Sequence, residues 1–225
     1  EALYDMSTFF DIPMTSGKDS MKNDFKGGGK KISVPPTILY SMAAKIMDVR
    51  HCVSSNFKAT GDLVYVLGET YDELGGSEFY RLFNELGANV PVVRPELAKK
   101  LYIAVSEANR ESLIESSHDI SDGGLAVCLA ECCFGTSFGV AASIDSIATV
   151  GRNAAIFGES HSRFVVSVAP QNRVRFEEHF GKRAFLLGNV TDNGKFTLSE
   201  SGTCLIDSSV SDLLASWKST LEIME

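Results

Sequence analysis

Three short segments combine glycine with charged or hydroxyl side chains, and their residue types and spacing point to chemistry. They read SGKDS (16–20), HDISDGGL (118–125) and GESHSRF (158–164). Glycine allows the backbone to approach a ligand closely. Carboxylates are ligands for Mg²⁺, and lysine and arginine bind phosphate. Together, the segments suggest a site for a phosphorylated ligand.

The segment HDISDGGL offers the most complete set of groups. Asp119 and Asp122 are predicted to lie at the end of a strand, and a helix is predicted to begin directly after Gly123 and Gly124. Amides at a helix start bind anions, and a neighbouring aspartate can share Mg²⁺ with a phosphate. The alternative interpretation is an Asx turn in which Asp122 caps the helix.

The other two segments are less specific. Arg163 precedes a predicted strand, where its guanidinium would either clamp a phosphate in fork geometry or lie on a polar surface loop. Gly17 and Lys18 look like part of a P-loop, but Walker spacing requires glycine at the position of Ile12, so a P-loop is rejected. The four histidines lack the spacing of a zinc site.

The elements that position these segments follow both helical and extended patterns. We predict strands over 31–49, 60–68, 138–144 and 163–169, helices over 77–87, 95–117, 125–134, 170–180 and 208–224, and a hairpin at Asn193-Gly194. Ser77 is the predicted N-cap of the first helix in this series. This mixture favours an α+β layered domain over residues 59–225, after a boundary in the polar segment between Val49 and Thr60.

Composition excludes several classes of protein. The 225 residues carry a net charge of −8, which argues against a nucleic-acid binder. No apolar run approaches the roughly 18–20 residues of a membrane span, so no membrane partner is expected. Five cysteines without a C-x-x-C pair indicate buried thiols in a reducing, cytoplasmic compartment. The opening EALYDMSTFF reads like the interior of a helix, and we expect a piece of a longer polypeptide.

Four motifs, in this order and at these spacings, resemble the C-terminal half of the phosphoribosylformylglycinamidine synthase family. They are GKDSM, LGGSEFY, HDISDGGLAVCLAE and FGESHSRFVVSV. The wider superfamily includes aminoimidazole ribonucleotide synthetase. The resemblance implies that residues 1–58 are the C-terminal part of a sheet-containing N-terminal-type domain. It also implies that residues 59–225 form a layered α/β sandwich like the C-terminal domain of aminoimidazole ribonucleotide synthetase.

The resemblance also implies a reaction. Enzymes of this family use ATP and Mg²⁺ to activate the amide oxygen of formylglycinamide ribonucleotide, and ammonia from glutamine then displaces phosphate. The implied partners are this substrate, the N-terminal half of the synthetase, and a glutaminase subunit or fused glutaminase domain. No catalytic residue is assigned here, because the resemblance places the catalytic histidine in the N-terminal half.

Site residues carried over by the resemblance fall on two of the motifs. In GKDS, Gly17 and Lys18 would contact the nucleotide and Ser20 the substrate, although Lys18 stands where smaller relatives have a metal-binding asparagine. In HDISDGGL, Asp119 would hold Mg²⁺ and Ser121 would contact the nucleotide. The position of Arg163 in GESHSRF, just before a predicted strand, also leads us to predict that it binds the substrate.

Two alternatives stay open at this point. The first is a nucleotide-binding and assembly module without turnover. The second is another ATP-dependent member of the superfamily, such as a selenophosphate synthetase, whose reactive Cys near the chain start has no counterpart in residues 1–30. We also expect residues 1–58 to expose apolar surface and to favour mobility or a homodimer, because their strand partners would lie upstream.

Overall fold

The chain divides into two compact units, Glu1–Val49 and Arg50–Glu225. The computed structural model describes residues 1–17, 24–34 and 38–219. The division falls at the start of the polar segment in which the boundary is predicted, and it assigns Phe57 to the second unit. Its side chain is buried there, and its amide donates to the carbonyl of Cys132 at 2.9 Å.

The first unit contains little regular structure. Its elements are α1 (Ala2–Phe10), β1 (Phe25–Gly27) and β2 (Lys30–Ile32), and the two strands pair antiparallel. The predicted strand over 31–49 is wrong for residues 38–48, which form neither helix nor strand. Ile38, Leu39 and Met47 are exposed there, which confirms the expected apolar surface. Dimerisation through it stays a prediction.

The second unit carries seven strands and six helices within its described residues. They are β3 (Leu63–Leu67), α2 (Glu78–Leu82), α3 (Pro95–Arg110), β4 (Ser116–Asp119), α4 (Gly124–Cys133), β5 (Gly139–Ser143), α5 (Arg152–Phe157), β6 (Phe164–Val168), α6 (Arg173–Phe180), β7 (Ala184–Thr191), β8 (Lys195–Glu200), β9 (Thr203–Ser209) and α7 (Val210–Ser219). Short 3₁₀ turns lie at Val49–His51, Ala148–Val150, Pro170–Asn172 and Gly181–Arg183. None of the helices in the described ranges has the length and apolar character that a membrane crossing requires.

One sheet, in the order β4-β6-β3-β7-β5-β8-β9, separates two layers of helices. Successive side chains of a strand point to opposite faces, and strand β3 shows this directly. Val64 and Val66 pack in a core with α4 and α5, whereas Tyr65 and Leu67 pack in a second core with α3 and α6. The predicted layered α+β class is therefore confirmed.

Two predicted helices end earlier than the sequence pattern suggested. Helix α2 begins as predicted, because the Ser77 hydroxyl accepts from the Tyr80 amide at 3.3 Å, but it ends at Leu82 rather than Gly87. Helix α3 ends at Arg110 because Ser112 takes a left-handed φ of 54°. The Leu113 amide then donates back to the Ala108 carbonyl at 2.9 Å, which closes the helix before residue 117.

The turn at Asn193-Gly194 does not form the predicted hairpin. Strands β7 and β8 run antiparallel, but β5 lies between them, antiparallel to β7 and parallel to β8. The local hairpin is instead β8–β9, which turns through Ser201 and Gly202 at positive φ. A turn signal reports the reversal of the chain and does not report which strand fills the gap.

The crossing of the β7–β8 turn over the start of β5 makes Gly139 critical. A Cβ at this position would lie 2.1 Å from the carbonyl oxygen of Lys195 and 2.6 Å from its nitrogen. Because both contacts are backbone, we expect Gly139→Ala to lower the free energy of unfolding by about 3 kcal/mol, measured by urea denaturation. The control Gly194→Ala, where φ is 62° and a Cβ meets no neighbour, is expected to cost about 1 kcal/mol. Equal losses at both positions would contradict this explanation.

Candidate functional site

Three of the four motifs meet at one place in the second unit. The ring of Phe79, from LGGSEFY, stacks on the ring of Phe157 with centroids 4.7 Å apart and planes 11° from parallel. Phe157 directly precedes the GESHSR segment (158–163), and that segment in turn contacts the HDISDGG turn. The motifs are far apart in sequence, so their convergence is a finding of the structure.

The GESHSR segment supports the turn that carries the two aspartates. The Ile120 amide donates to the Arg163 carbonyl at 3.0 Å, and the Gly124 amide closes the turn on the Ser121 carbonyl at 3.0 Å. Gly124 has a φ of 69°, and a Cβ there would lie 2.7 Å from the Cα of Phe157. The turn therefore lies against the GESHSR backbone at a distance that only glycine permits.

Glu159 is the functional candidate that the sequence did not suggest. One carboxylate oxygen accepts from the Gly123 amide at 2.8 Å, at the start of α4, and from the Glu78 amide at 3.0 Å, at the start of α2. The Gly123 amide, predicted to be available to an anion, is thus taken by the chain's own carboxylate. The sequence signal was an acid inside a Gly/Ser segment, and this does not reveal a partner 36 residues away.

Arg163 is buried, with 1% of its surface exposed. Its guanidinium donates to the Ser160 carbonyl at 3.0 Å, to the Thr70 hydroxyl at 3.2 Å, and to the Gly158 carbonyl. Burial lowers the pKa of Arg163 to about 10, so the group stays charged at neutral pH. These contacts are those of an internal brace that shapes the GESHSR segment. Substrate binding by Arg163 stays a prediction, and its surface-loop alternative is wrong.

A cavity of about 410 Å³ opens beside this junction. Its lining includes Asp119, Ser121, Asp122, Glu159 and His161. The Asp119 side chain is 69% exposed. Asp122 does not cap α4 through its side chain, because the N-cap is Gly123, so the Asx-cap interpretation is wrong.

The donor set of this cavity fits a hard cation that is shared with a ligand. Asp119 and Asp122 supply carboxylate oxygens, the ligand type that Mg²⁺ takes. Within the described ranges, no cluster of three or more His, Cys, Asp or Glu is arranged to hold a metal ion by itself. Mg²⁺ usually keeps several waters and binds through one or two carboxylates together with phosphates, and this arrangement agrees with that pattern.

The neighbourhood behind Asp119 is structural. His118 lies between two partners, with Nδ1 2.9 Å from the Asp119 carbonyl oxygen and Nε2 3.3 Å from a carboxylate oxygen of Glu131. The Cys128 thiol donates to the same Asp119 carbonyl at 3.3 Å. Burial raises the pKa of Cys128 well above its usual range, so it is a protonated thiol and not a nucleophile.

A second, largely apolar cavity of about 260 Å³ adjoins the first, and His161 and Ser162 line both. Arg94 lies over the ring of Tyr71 at 3.6 Å and forms an ion pair with Glu73 at 2.7 Å. Burial alone would raise the pKa of Glu73, but hydrogen bonds from Arg94 and Ser160 and the charge of Arg94 outweigh it, and the pKa is lowered. The pair anchors the loop ahead of α2.

The fourth motif belongs to the first unit. Gly17 is exposed there, and Lys18 and Ser20 lie outside the described residues. The structure therefore brings together Asp119, Ser121 and Arg163 of the predicted site residues, and the nucleotide and substrate roles of Gly17, Lys18 and Ser20 stay predictions.

Comparison with known families gives a match over most of the second unit. Residues 59–200 match the family model described as AIR synthase related protein, C-terminal domain. The matched range contains all three segments that meet in the second unit.

Solved structures share this fold. The chain is similar to Thermotoga maritima PurL complexed with FGAR, at 19% identity and a TM-score of 0.64 over 72% of this chain and 29% of that chain. It is similar to phosphoribosylformylglycinamidine synthase II from T. maritima at 18% identity and a TM-score of 0.61, over 71% and 27%. It is also similar to E. coli HypE, a hydrogenase maturation protein, at 17% identity and a TM-score of 0.50, over 70% and 52%. The chain spans less than a third of the length of the chain in each of these two T. maritima structures.

Proposed function

Because the chain belongs to the AIR synthase related protein family through its C-terminal domain, we propose that it is part of an ATP-dependent phosphoribosylformylglycinamidine synthase of purine biosynthesis. The observation that carries the proposal is that HDISDGG and GESHSR line one cavity with Asp119 and Ser121 at its surface, while LGGSEFY contacts GESHSR beside it. Structures of T. maritima PurL with FGAR, ATP and ADP support the proposed ligand classes.

In this proposal the residues of the chain bind and orient a nucleotide. Asp119 would hold Mg²⁺, with Ser121 contacting the nucleotide beside it. The bound ion would supply positive charge to the phosphate groups, which is the main electrostatic requirement of phosphoryl transfer. The buried brace of Arg163 and the backbone contacts of GESHSR keep the Asp119–Gly124 turn in one conformation, so the ligand groups are in place before binding.

The rest of the reaction is assigned to segments outside this chain. We propose an N-terminal half that supplies the catalytic histidine, and a separate or fused glutaminase that supplies ammonia. The T. maritima PurLQS structure, which also shares this fold, supports a multi-component assembly of that kind.

The test is a reaction with the full-length protein that contains this chain. With ATP, Mg²⁺ and ammonia present, ADP release is expected to rise at least about tenfold when formylglycinamide ribonucleotide is added, because this substrate is the phosphoryl acceptor. A coupled assay for ADP measures it. ADP release that is independent of this substrate, or absent with it, would reject the proposal. Because the chain is also similar to HypE, the control is the same ADP-release assay with other phosphoryl acceptors in place of formylglycinamide ribonucleotide.

A second candidate is nucleotide binding without turnover by this unit. It is favoured because the proposed Mg²⁺ ligand and nucleotide contact both lie on this chain, whereas the catalytic histidine is proposed to lie elsewhere. Calorimetry of Mg·ADP with the 225-residue chain tests the binding step, and the ADP-release assay with the full-length protein tests turnover. Binding by the chain with no substrate-dependent release by the full-length protein would establish the second candidate over the first.

A further inference from the structure

We propose that Glu159 is a positioning residue for the nucleotide site, a role that rests on the proposed function. Its side chain does not need to touch the ligand. By accepting from the amides of Gly123 and Glu78 with one oxygen, it ties the turn that carries Ser121 to the start of α2.

The hydrogen bond from the Gly123 amide allows Glu159 to fix the backbone conformation of the turn that carries Ser121. Gly123 lies two residues after Ser121, and the Gly124 amide is already bonded to the Ser121 carbonyl at 3.0 Å. Fixing the Gly123 amide therefore fixes the plane of the peptide that ends the turn. On the other side, the Ile120 amide is held by the Arg163 carbonyl at 3.0 Å. Ser121 and Asp122 therefore lie between two residues whose amides are held by hydrogen bonds. The Glu159 carboxylate accepts one of these two bonds.

Hydrogen bonds also hold the backbone at Glu159 and at the residues on both sides of it. Its amide donates to the Glu73 carbonyl at 3.3 Å. The residues on both sides, Gly158 and Ser160, give their carbonyls to the buried Arg163 guanidinium. Because these contacts hold the backbone on both sides, we expect a shorter side chain at position 159 not to reach both amides.

The alternative role for a carboxylate in this cavity is electrostatic. Glu159 lines the same cavity as Asp119 and Asp122, so its charge would repel a phosphate or attract a cation. The two roles predict opposite outcomes for two conservative variants. Glu159→Gln keeps the length and one acceptor oxygen and loses the charge, whereas Glu159→Asp keeps the charge and loses one methylene.

The experiment measures Mg·ADP affinity of the 225-residue chain by calorimetry, with thermal unfolding recorded for each variant. Positioning predicts that Glu159→Gln binds within about threefold of the wild type, whereas Glu159→Asp and Glu159→Ala bind about tenfold more weakly. Hydrogen exchange at the Gly123 and Glu78 amides should accelerate in the Asp and Ala variants and stay slow in the Gln variant. Glu78→Ala is the matched control. It removes a neighbouring charge that pairs with Arg81 at 3.2 Å but leaves the Glu78 amide, and binding within about twofold is expected.

Each result decides between the roles. A Glu159→Asp variant that binds like the wild type, or a Glu159→Gln variant as weak as Glu159→Ala, would overturn positioning. A Glu78→Ala variant as weak as Glu159→Ala would show a general charge effect and would also overturn it. A wild-type chain that does not bind Mg·ADP would reject the proposed nucleotide site itself, which separates that failure from failure of the Glu159 role.

Discussion

Arg163→Met is expected to lower the free energy of unfolding by about 3–5 kcal/mol, the largest of the stability effects that we expect. The side chain is 1% exposed, and its removal leaves the carbonyls of Gly158 and Ser160 and the Thr70 hydroxyl without the donor they share. Unsatisfied buried acceptors each cost roughly 1–3 kcal/mol. Urea denaturation, followed by circular dichroism, measures the loss.

Two further variants define the cause of that loss. Arg163→Lys keeps a positive charge but presents a single ammonium, which cannot reach three acceptors in a planar fork, and an intermediate loss is expected. Arg152→Met removes an exposed arginine whose guanidinium pairs with Glu200, and a loss under about 1 kcal/mol is expected. If Arg163→Met were as mild as Arg152→Met, the brace would not be a stabilising element.

Removal of Mg²⁺ is expected to weaken ADP binding at least about 100-fold. Asp119, Asp122 and Glu159 line the cavity. The repulsion between a carboxylate and a phosphate oxygen about 4 Å away is roughly 4 kcal/mol at an effective dielectric constant near 20. A divalent ion reverses this repulsion. Calorimetry with Mg²⁺ and with excess chelator measures the difference, and equal affinity in both buffers would rule out a metal-dependent site.

Asp119→Asn tests whether the ion is held where we propose. The substitution is expected to weaken binding about tenfold or more, a part of the loss expected without Mg²⁺, because a neutral amide is a poorer ligand for Mg²⁺ than a carboxylate. Asp122→Asn is the matched comparison, since it removes an exposed charge from the same turn and the same cavity. An effect of Asp122→Asn as large as that of Asp119→Asn would show that the two carboxylates share the ion and would contradict its assignment to Asp119 alone.

Local patterns predicted most of the elements around the site. The run LVYVL (63–67) is apolar throughout, as a strand covered on both faces must be, and it forms β3. Ser77 caps a helix, and the Asp119–Gly124 segment is a strand end followed by a helix, as predicted. These features depend on a few consecutive residues, and this explains why the sequence alone was sufficient.

Features that depend on distant residues were not predicted. An arginine guanidinium donates to phosphate oxygens and to backbone carbonyls with the same geometry. Only the burial of Arg163 in the structure therefore shows that it binds the carbonyls of Ser160 and Gly158. Likewise, Glu159 contacts amides that lie 36 and 81 residues away along the chain. The pairing of β5 between β7 and β8 has the same origin, because the Asn193-Gly194 signal is local and the intervening strand is not.

The position of β5 between β7 and β8 also constrains the order in which the chain folds. Those two strands cannot pair directly with each other across their connecting turn, because residues 139–143 lie between them. Such contacts between residues far apart in the chain close slowly. During synthesis, β5 therefore presents an unpaired edge until residues near 200 have emerged, and an open edge is a template for pairing with other chains. Strands β8 and β9, which pair through a short local turn, are the last strands of the sheet to be synthesised.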